Sequence, residues 1–481
     1  MYYKIMYKKP SAVWVESKII DDKIDPNYNN ALYIECLDDR YRKLDCEIKQ
    51  NGEIIDELTD YTANGSFGWL KQNVVYSDDT GVPFIRIKNI TEDGFDFGDL
   101  VYINTESYDK LKKSKLNGGE LLFSKTGSVG TTLVVPSNIN KMSLADNIFK
   151  VIYKPNIDTY YIDAFFKSYY GKLWVKRLSQ GGVQQTIIKN SFREIKIPIP
   201  SPEIQKYIGD KVRKAEELRE EAKRLKKEAE EILNAELKLS YFNERVKDAP
   251  KIYNWIYGES IEIRIDSQYY INETNFINNE MYKKGLKLKR ISEIANVGKG
   301  FSYTSLDNKS IPYIRISDLD DLLINFDTAE LVDEKTYSEK KSSQLEKYDL
   351  IFAITGATIG KVSLFYNSKY SKATLSSDTA FVRLKDKNDA AYVLLYLKSF
   401  IGQLGILKGV TGATNRHLSL EHIGDIFIPV IDNKLKQEIN MRVIKAIDNV
   451  YLSKQLIKEA KQDVEDLIEG NFDMSKVKAN S

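Results

Sequence analysis

Cysteine, histidine and proline are scarce in this chain, whose 481 residues include two cysteines, two histidines and 11 prolines. Cys36 and Cys46 cannot supply a four-thiolate zinc cluster, and a disulfide-stapled secreted scaffold would carry more cysteines, so a reducing compartment is expected. His417 and His422 have no carboxylate partners singled out by the sequence, and no metal site is expected. The start, Met1-Tyr2-Tyr3-Lys4-Ile5, lacks the apolar run of a signal peptide. No stretch of about 18 apolar residues follows it, which predicts a cytoplasmic protein outside the membrane. Charge of one sign is also lacking: 71 Lys and Arg face 69 Asp and Glu, a net charge of +2, so any basic surface must be local. With 42% hydrophobic and 29% charged residues the chain should fold, and its length suggests two or three domains.

What is present is a repeat. Pro83-Phe84-Ile85-Arg86-Ile87-Lys88-Asn89-Ile90 returns as Pro312-Tyr313-Ile314-Arg315-Ile316-Ser317-Asp318-Leu319, 229 residues later. At the same offset, Leu121-Leu122-Phe123-Ser124-Lys125-Thr126-Gly127 returns as Leu350-Ile351-Phe352-Ala353-Ile354-Thr355-Gly356. The pairing continues through Asp146 with Asp378, then a helical stretch ending near Gly171 and Gly402. Two glycine turns come next, Gly181-Gly182-Val183-Gln184-Gln185 and Gly412-Ala413-Thr414-Asn415. Each half closes on a β-like run ending at Ile197-Pro198 or Ile428-Pro429, and a weaker match of Lys23-Ile24-Asp25 with Arg264-Ile265-Asp266 marks the starts. Short strands punctuated by Gly, Asn, Asp and Pro, with one or two helices, predict an α+β domain in each half rather than a βαβ series.

After each half the apolar period changes. Between Glu203 and about Leu239, Ile208, Ala215, Leu218, Ala222, Leu225, Ala229 and Ile232 follow steps of three and four. Between about Leu435 and Ile468, Val443, Ala446, Val450, Ser453, Ile457, Ala460 and Val464 do the same. This is a coiled-coil seam, and it predicts two long helices packed antiparallel, with internal pseudo-twofold symmetry. Ten basic and ten acidic residues between Glu203 and Lys238 make a solvated outer face. At 1.5 Å per residue, roughly 35 residues span about 50 Å. The expected organisation is a first domain over residues 1–202, a spacer helix over 203–245, a second domain over 246–432, a second spacer helix over 433–470 and a tail over 471–481.

Motifs that would make the chain an enzyme fail on inspection. Gly356-Ala357-Thr358-Ile359-Gly360-Lys361-Val362 lacks both the spacing of a phosphate loop and the Ser or Thr after its lysine. Glu47-Ile48-Lys49 and Glu194-Ile195-Lys196 offer the carboxylate and lysine of a metal-dependent nuclease, but neither has a convincing upstream aspartate. Neither Asn-Pro-Pro-Tyr nor Asp-Pro-Pro-Tyr occurs, so no catalytic residue is assigned.

The order of domain, long helix, domain, long helix resembles the specificity subunit of type I restriction-modification systems. The likeness rests on the two Pro-aromatic-Ile-Arg-Ile runs, the two Thr-Gly-containing turns, the second one residue longer, and the exit Pro198-Ile199-Pro200-Ser201-Pro202-Glu203-Ile204-Gln205 into a helix. The second exit, Pro429 to Gln437, lacks the repeated prolines. The resemblance implies two target-recognition domains, each reading half of a split duplex DNA site, on helices that set the spacing and carry methyltransferase subunits. It also implies that this chain binds no cofactor, while S-adenosylmethionine, ATP and magnesium belong to partners, with a motor-nuclease subunit if restriction is performed. A spacer of about 50 Å corresponds to half-site centres roughly 10 to 15 base pairs apart. A tandem recognition module of another defence system, or a self-contained nuclease or methyltransferase with a divergent site, are the alternatives.

Within that reading the glycine turns hold the candidate DNA contacts. Thr414, Asn415, Arg416 and His417 combine groups that read base edges and phosphates, and the matching turn offers Gln184, Gln185, Thr186 and Lys189. Different polar sets on aligned turns suit two different half-sites, and neutral loop drift would also produce them. Lys125 and Lys361 stand in the Thr-Gly turns, where backbone can approach phosphate. Arg86 and Arg315 recur at one strand position, as DNA contacts or as structural ion pairs. His422 packs or faces solvent, and most of the 31 tyrosines and 19 phenylalanines belong to cores.

Overall fold

The computed structural model describes residues 28–137, 139–182, 184–249, 273–303, 309–366, 370–412 and 415–478. The matches at Lys23-Ile24-Asp25 and Arg264-Ile265-Asp266 lie outside the described residues, as does Thr414. The chain divides into two compact units, Met1–Leu218 with Leu452–Ser481, and Arg219–Tyr451.

In the first unit a four-stranded antiparallel sheet runs in the order Thr132–Val134, Leu121–Ser124, Ile148–Tyr153, Ile55–Asp60. The central strand Leu121–Ser124 opens with three apolar residues in a row because it is covered on both faces. Leu121 and Phe123 point into a core with Phe149, Phe166 and Phe192, while Leu122 joins Ile85, Leu133 and Leu144 on the other side. A second sheet is built around Val82–Ile85, which pairs in parallel with Met142–Leu144 and antiparallel with Val101–Ile103. The second unit repeats this. Its sheet order is Ala295–Lys299, Thr379–Leu384, Leu350–Ala353, Val362–Leu364, and Ile311–Ile314 pairs in parallel with Thr374–Leu375. There Leu350 and Phe352 face one core, and Ile351 and Ala353 face another.

Two expectations need correction. The strands that open at Ile148 and Thr379 put Asn147, not Asp146, in register with Asp378. Lys125 N–H donates to the Asn147 carbonyl at 3.0 Å, just as Ile354 N–H donates to that of Asp378 at 3.0 Å. The helical stretch does not end near Gly171 and Gly402, because each glycine lies in the first turn of a second helix. Thr159–Lys167 breaks at Ser168 and resumes as Tyr169–Leu178; Ala390–Lys398 breaks at Ser399 and resumes as Phe400–Lys408. Each serine hydroxyl donates to the carbonyl three residues back at 2.6 Å and accepts the N–H of the glycine three residues on at 3.2 Å. A Cβ on Gly171 would sit 2.0 Å from the Phe165 carbonyl oxygen, and one on Gly402 would sit 2.1 Å from that of Tyr396, so only glycine fits this corner.

The long helices span Pro202–Leu237 and Asn433–Glu469. The first begins with proline at the position where a missing N–H costs nothing, and ends where Lys238 turns left-handed at φ 53°. The second begins after Asp432, whose carboxylate accepts the Lys434 N–H at 2.8 Å, and ends at Gly470, φ 76°. In each unit the two helices contribute antiparallel segments. Ala215 shares a buried cluster with Ile457, Ala460 and Val464 in the first unit, where Lys211 bridges to Asp463 at 2.5 Å and Leu218 is buried alongside. In the second, Ala222 and Leu225 pack with Ala446 and Val450, Ala229 and Val443 join the larger core, and Glu221 accepts from Asn449 at 3.0 Å. Ile232 is only half-buried, because at that point the seam passes to Leu233 and Leu237.

Among the described residues no single helix is long and apolar enough to cross a membrane. The apolar pair Lys387–Lys398 and Phe400–Lys408 is bent by 83°, and its residues from Ala390 to Leu397 are buried in the core.

Candidate nucleic-acid interface

In the first unit the strand Leu121–Ser124 runs out into Lys125-Thr126-Gly127, and the chain returns through Gly130. The distant turn 180–187 lies against this hairpin. Thr126 and Thr186 form an antiparallel bridge, their hydroxyls 2.9 Å apart. Gly127 N–H donates to the Gln185 carbonyl at 3.2 Å, and Ile187 N–H to that of Lys125 at 2.9 Å. The turn is closed on itself by reciprocal bonds of 2.8 Å between Gln180 and Thr186. Gly181 makes this possible at φ 103°, where a Cβ would meet the Gln184 carbonyl oxygen at 2.4 Å. The side chains of Gln184 and Gln185 are exposed beside these backbone bonds.

Two lysines of this surface converge on one buried carboxylate. Asp60, at the end of its strand, lies 3.1 Å from Lys125 Nζ and 3.2 Å from Lys189 Nζ, and Asp146 is 3.8 Å from Lys125. Burial pushes the Asp60 carboxyl up, but the hydrogen bonds from Thr62 and Lys125 and the charges of Lys125 and Lys189 outweigh it and hold the group below its ordinary value. The arrangement neutralises the lysines within the fold while leaving Lys189 half-exposed. Asp60 carried no local sequence signal, since its partners are 65 and 129 positions away along the chain.

The second unit repeats the backbone with other side chains. Thr355 bridges His417, Gly356 N–H donates to the Arg416 carbonyl at 3.1 Å, and Leu418 N–H donates to that of Ile354 at 2.9 Å. Gly412, at φ 87°, stands where Gly181 does. Asn415, Arg416 and His417 are exposed at the positions of Gln184, Gln185 and Thr186. Ile354 replaces Lys125 and Leu420 replaces Lys189, so the lysine pair is absent from this unit. Lys299 takes the place of Asp60, each facing the second residue of the neighbouring strand. Thr355 Oγ1 donates to Asp378 Oδ1 at 3.0 Å. Lys361 is exposed at the far end of this hairpin, which is a strand-to-strand turn and not the strand-to-helix loop that cradles a nucleotide.

Arg86 and Arg315 are not gathered into these surfaces. Arg86 Nη2 donates to the Asp99 carbonyl at 2.7 Å, and Arg315 reaches the Thr328 carbonyl at 3.1 Å and Glu330 at 2.6 Å. Each ties down the end of the loop that follows its own strand. His422 is buried, with Nε2 2.9 Å from the Gly405 carbonyl oxygen. The two Glu-Ile-Lys triplets do not come together: Glu47, Ile48 and Lys49 face Ile199, Pro198 and Ile197 across an antiparallel pair, Glu194 ends the helix Lys189–Glu194, and Lys49 is 3.1 Å from Glu47. Among the described residues no group of three or more His, Cys, Asp or Glu is placed to hold a metal.

A family model described as "Type I restriction modification DNA specificity domain" matches the chain twice, over residues 46–231 and 283–462. The chain is 21% identical over 346 residues to the type I restriction enzyme MjaIX specificity subunit of Methanocaldococcus jannaschii, covering 70% of this chain and 73% of that one. Among solved structures it aligns with a type I restriction-modification S subunit from M. genitalium at 12% identity and a TM-score of 0.42, covering 90% and 97% of the two chains. An HsdS subunit from Thermoanaerobacter tengcongensis aligns at 13% identity and a TM-score of 0.29, covering 89% and 97%.

Proposed function

Because this chain belongs to the type I restriction-modification DNA specificity family, we propose that its halves are two target-recognition domains, each reading one half of an asymmetric bipartite duplex site. The chain is the non-catalytic specificity subunit of a restriction-modification complex, and its function is DNA sequence recognition within an assembly that includes methyltransferase. The observation that supports the bipartite reading is the pair of docked turns, alike in backbone and unlike in side chain. Gln184 and Gln185 suit adenine edges, Asn415 an adenine and Arg416 a guanine, while Thr186 and His417 suit either bases or phosphates. Lys125, Lys189 and Lys361 serve phosphates, and Arg86 and Arg315 hold loops in place. Residues 1–202 and 246–432 form the two readers, 203–245 and 433–470 the spacer segments built on the helices Pro202–Leu237 and Asn433–Glu469, and 471–481 the tail. S-adenosylmethionine, ATP and magnesium are held by partner subunits, a motor-nuclease subunit completes the restriction form, and the complex works in the cytoplasm. The test is to purify the chain with its co-expressed methyltransferase and map the methylated bases. Two defined elements separated by a fixed unspecified spacer are expected. One contiguous element, or methyl transfer or cleavage by the isolated chain, would overturn the proposal.

A further inference from the structure

The two units differ most between the strand that ends at Asp60 and the one that begins at Val82. Twenty-one residues join them in the first unit, whereas eleven join Lys299 to Ile311 in the second. The longer connection is built, not slack. Ser66 caps the helix Phe67–Asn73 by accepting the Trp69 N–H at 3.3 Å, Leu70 is buried beneath it, and Asn73 Nδ2 donates to the Trp69 carbonyl at 2.9 Å. Beyond the helix, Val75 N–H donates to Ser107 Oγ at 2.9 Å and its carbonyl accepts the Asn104 N–H at 3.1 Å. Yet this anchored backbone presents Phe67 69% exposed, Tyr76 63% exposed and Val75 53% exposed. Three exposed apolar side chains on a connection anchored at both ends offer a contact surface.

The surface adjoins the candidate interface. Tyr61 and Tyr76 both pack edge-on against Phe84, with ring centroids 5.5 and 6.2 Å from it. Tyr61 directly follows Asp60, the residue on which Lys125 and Lys189 converge. Burial, with smaller contributions from Tyr76 and Asp146, pushes the Tyr61 hydroxyl up to about 12. Lys71 and Gln72 are exposed on the same helix, and no acidic residue occurs from Tyr61 to Ser77, before the exposed Asp78 and Asp79.

We propose that Phe67, Val75 and Tyr76 form a second reading element for the first half-site, contacting thymine methyl groups in the major groove beside the bases read by the turn at residues 184–186. This rests on the DNA-recognition reading above. Apolar contact with the thymine methyl in the major groove is the way such side chains discriminate sequence, and Lys71 supplies the adjacent phosphate contact.

The test uses the complex with methyltransferase, and duplexes carrying the mapped target with each half varied in turn. Phe67→Ala with Tyr76→Ala should weaken binding to the intact target by about tenfold or more and relax discrimination at first-half positions only. Phe67→Ala alone should leave the thermal melt unchanged, because its side chain is exposed, whereas Tyr76→Ala also gives up the ring contact with Phe84; Phe67→Leu should keep part of the affinity. Unchanged affinity and unchanged methylated sites in a wild-type-specific background would overturn the proposal. So would loss of co-purifying methyltransferase, which would assign the patch to subunit docking. A wild-type complex with no sequence preference would overturn the premise instead, and the proposal with it.

Discussion

The two units share a framework and differ at the surface. Tyr161 OH donates to the Pro198 carbonyl, and Tyr392 OH to that of Pro429. Ser168 and Ser399 make the same two bonds at the same helix corner, and Arg86 and Arg315 tie down equivalent loops. Where the chain turns outward the likeness stops. Gln185 becomes Arg416 and Thr186 becomes His417, and at the strand ends beside them Lys125 becomes Ile354 and the buried Asp60 becomes Lys299. A backbone bonded to itself at every shared position can present any side chain at the exposed ones. Framework substitutions should therefore act alike in both units, and surface substitutions should act on one.

The largest effect is expected in the helix seam. Leu225 in the second unit and Ile457 in the first are each buried in it, at 7% and 8% exposure. Either one changed to aspartate should cost about 4 kcal/mol, by losing apolar burial and placing a charge without a partner. Thermal melts of the two variants should fall together; a melt unchanged in one would show that its seam contributes nothing. Next come the glycine corners. Gly171→Ala and Gly402→Ala force a Cβ onto a carbonyl oxygen and should each cost about 3 kcal/mol, matched between the units. A large loss at one and none at the other would break the framework comparison.

Smaller, and confined to the first unit, is the effect of Asp60→Asn, about 2 kcal/mol near neutral pH, because Lys125 and Lys189 lose their shared carboxylate. Asp60 is held below its ordinary value of 3.8, so its charged form stabilises the fold fully above that value, and the contribution is lost as pH falls through the lowered folded value. The stability gap between wild type and Asp60→Asn should therefore close in acid, as followed by denaturant melts at several pH values. A gap independent of pH would mean that the carboxylate charge is not what stabilises the cluster. Lys299→Ala, at the equivalent position, should show no such closure.

How much of this was legible follows from what repeats. The Pro-aromatic-Ile-Arg-Ile runs and the Thr-Gly turns announced a duplicated α+β domain because strand sterics and positive φ admit few residues, and Gly127 and Gly356 hold φ 76° and 74°. The seam was legible from its period up to Ala229, where the contact passes to Leu233. The one-residue slip at Asp146 was not, since Asn147 takes the left-handed conformation at φ 69° and no side-chain pattern records it. Nor was the Asp60 cluster, which forms only when three distant segments fold together. The extended connection at Phe67 had no counterpart in the other half to reveal it.

The most direct test of two readers on one framework is to change Asn415, Arg416 and His417 together to alanine and map methylation by the assembled complex. The account predicts that discrimination in one half of the target falls by about a hundredfold while the other half is read as before. Equal loss at both halves, with the complex intact and folded, would contradict it.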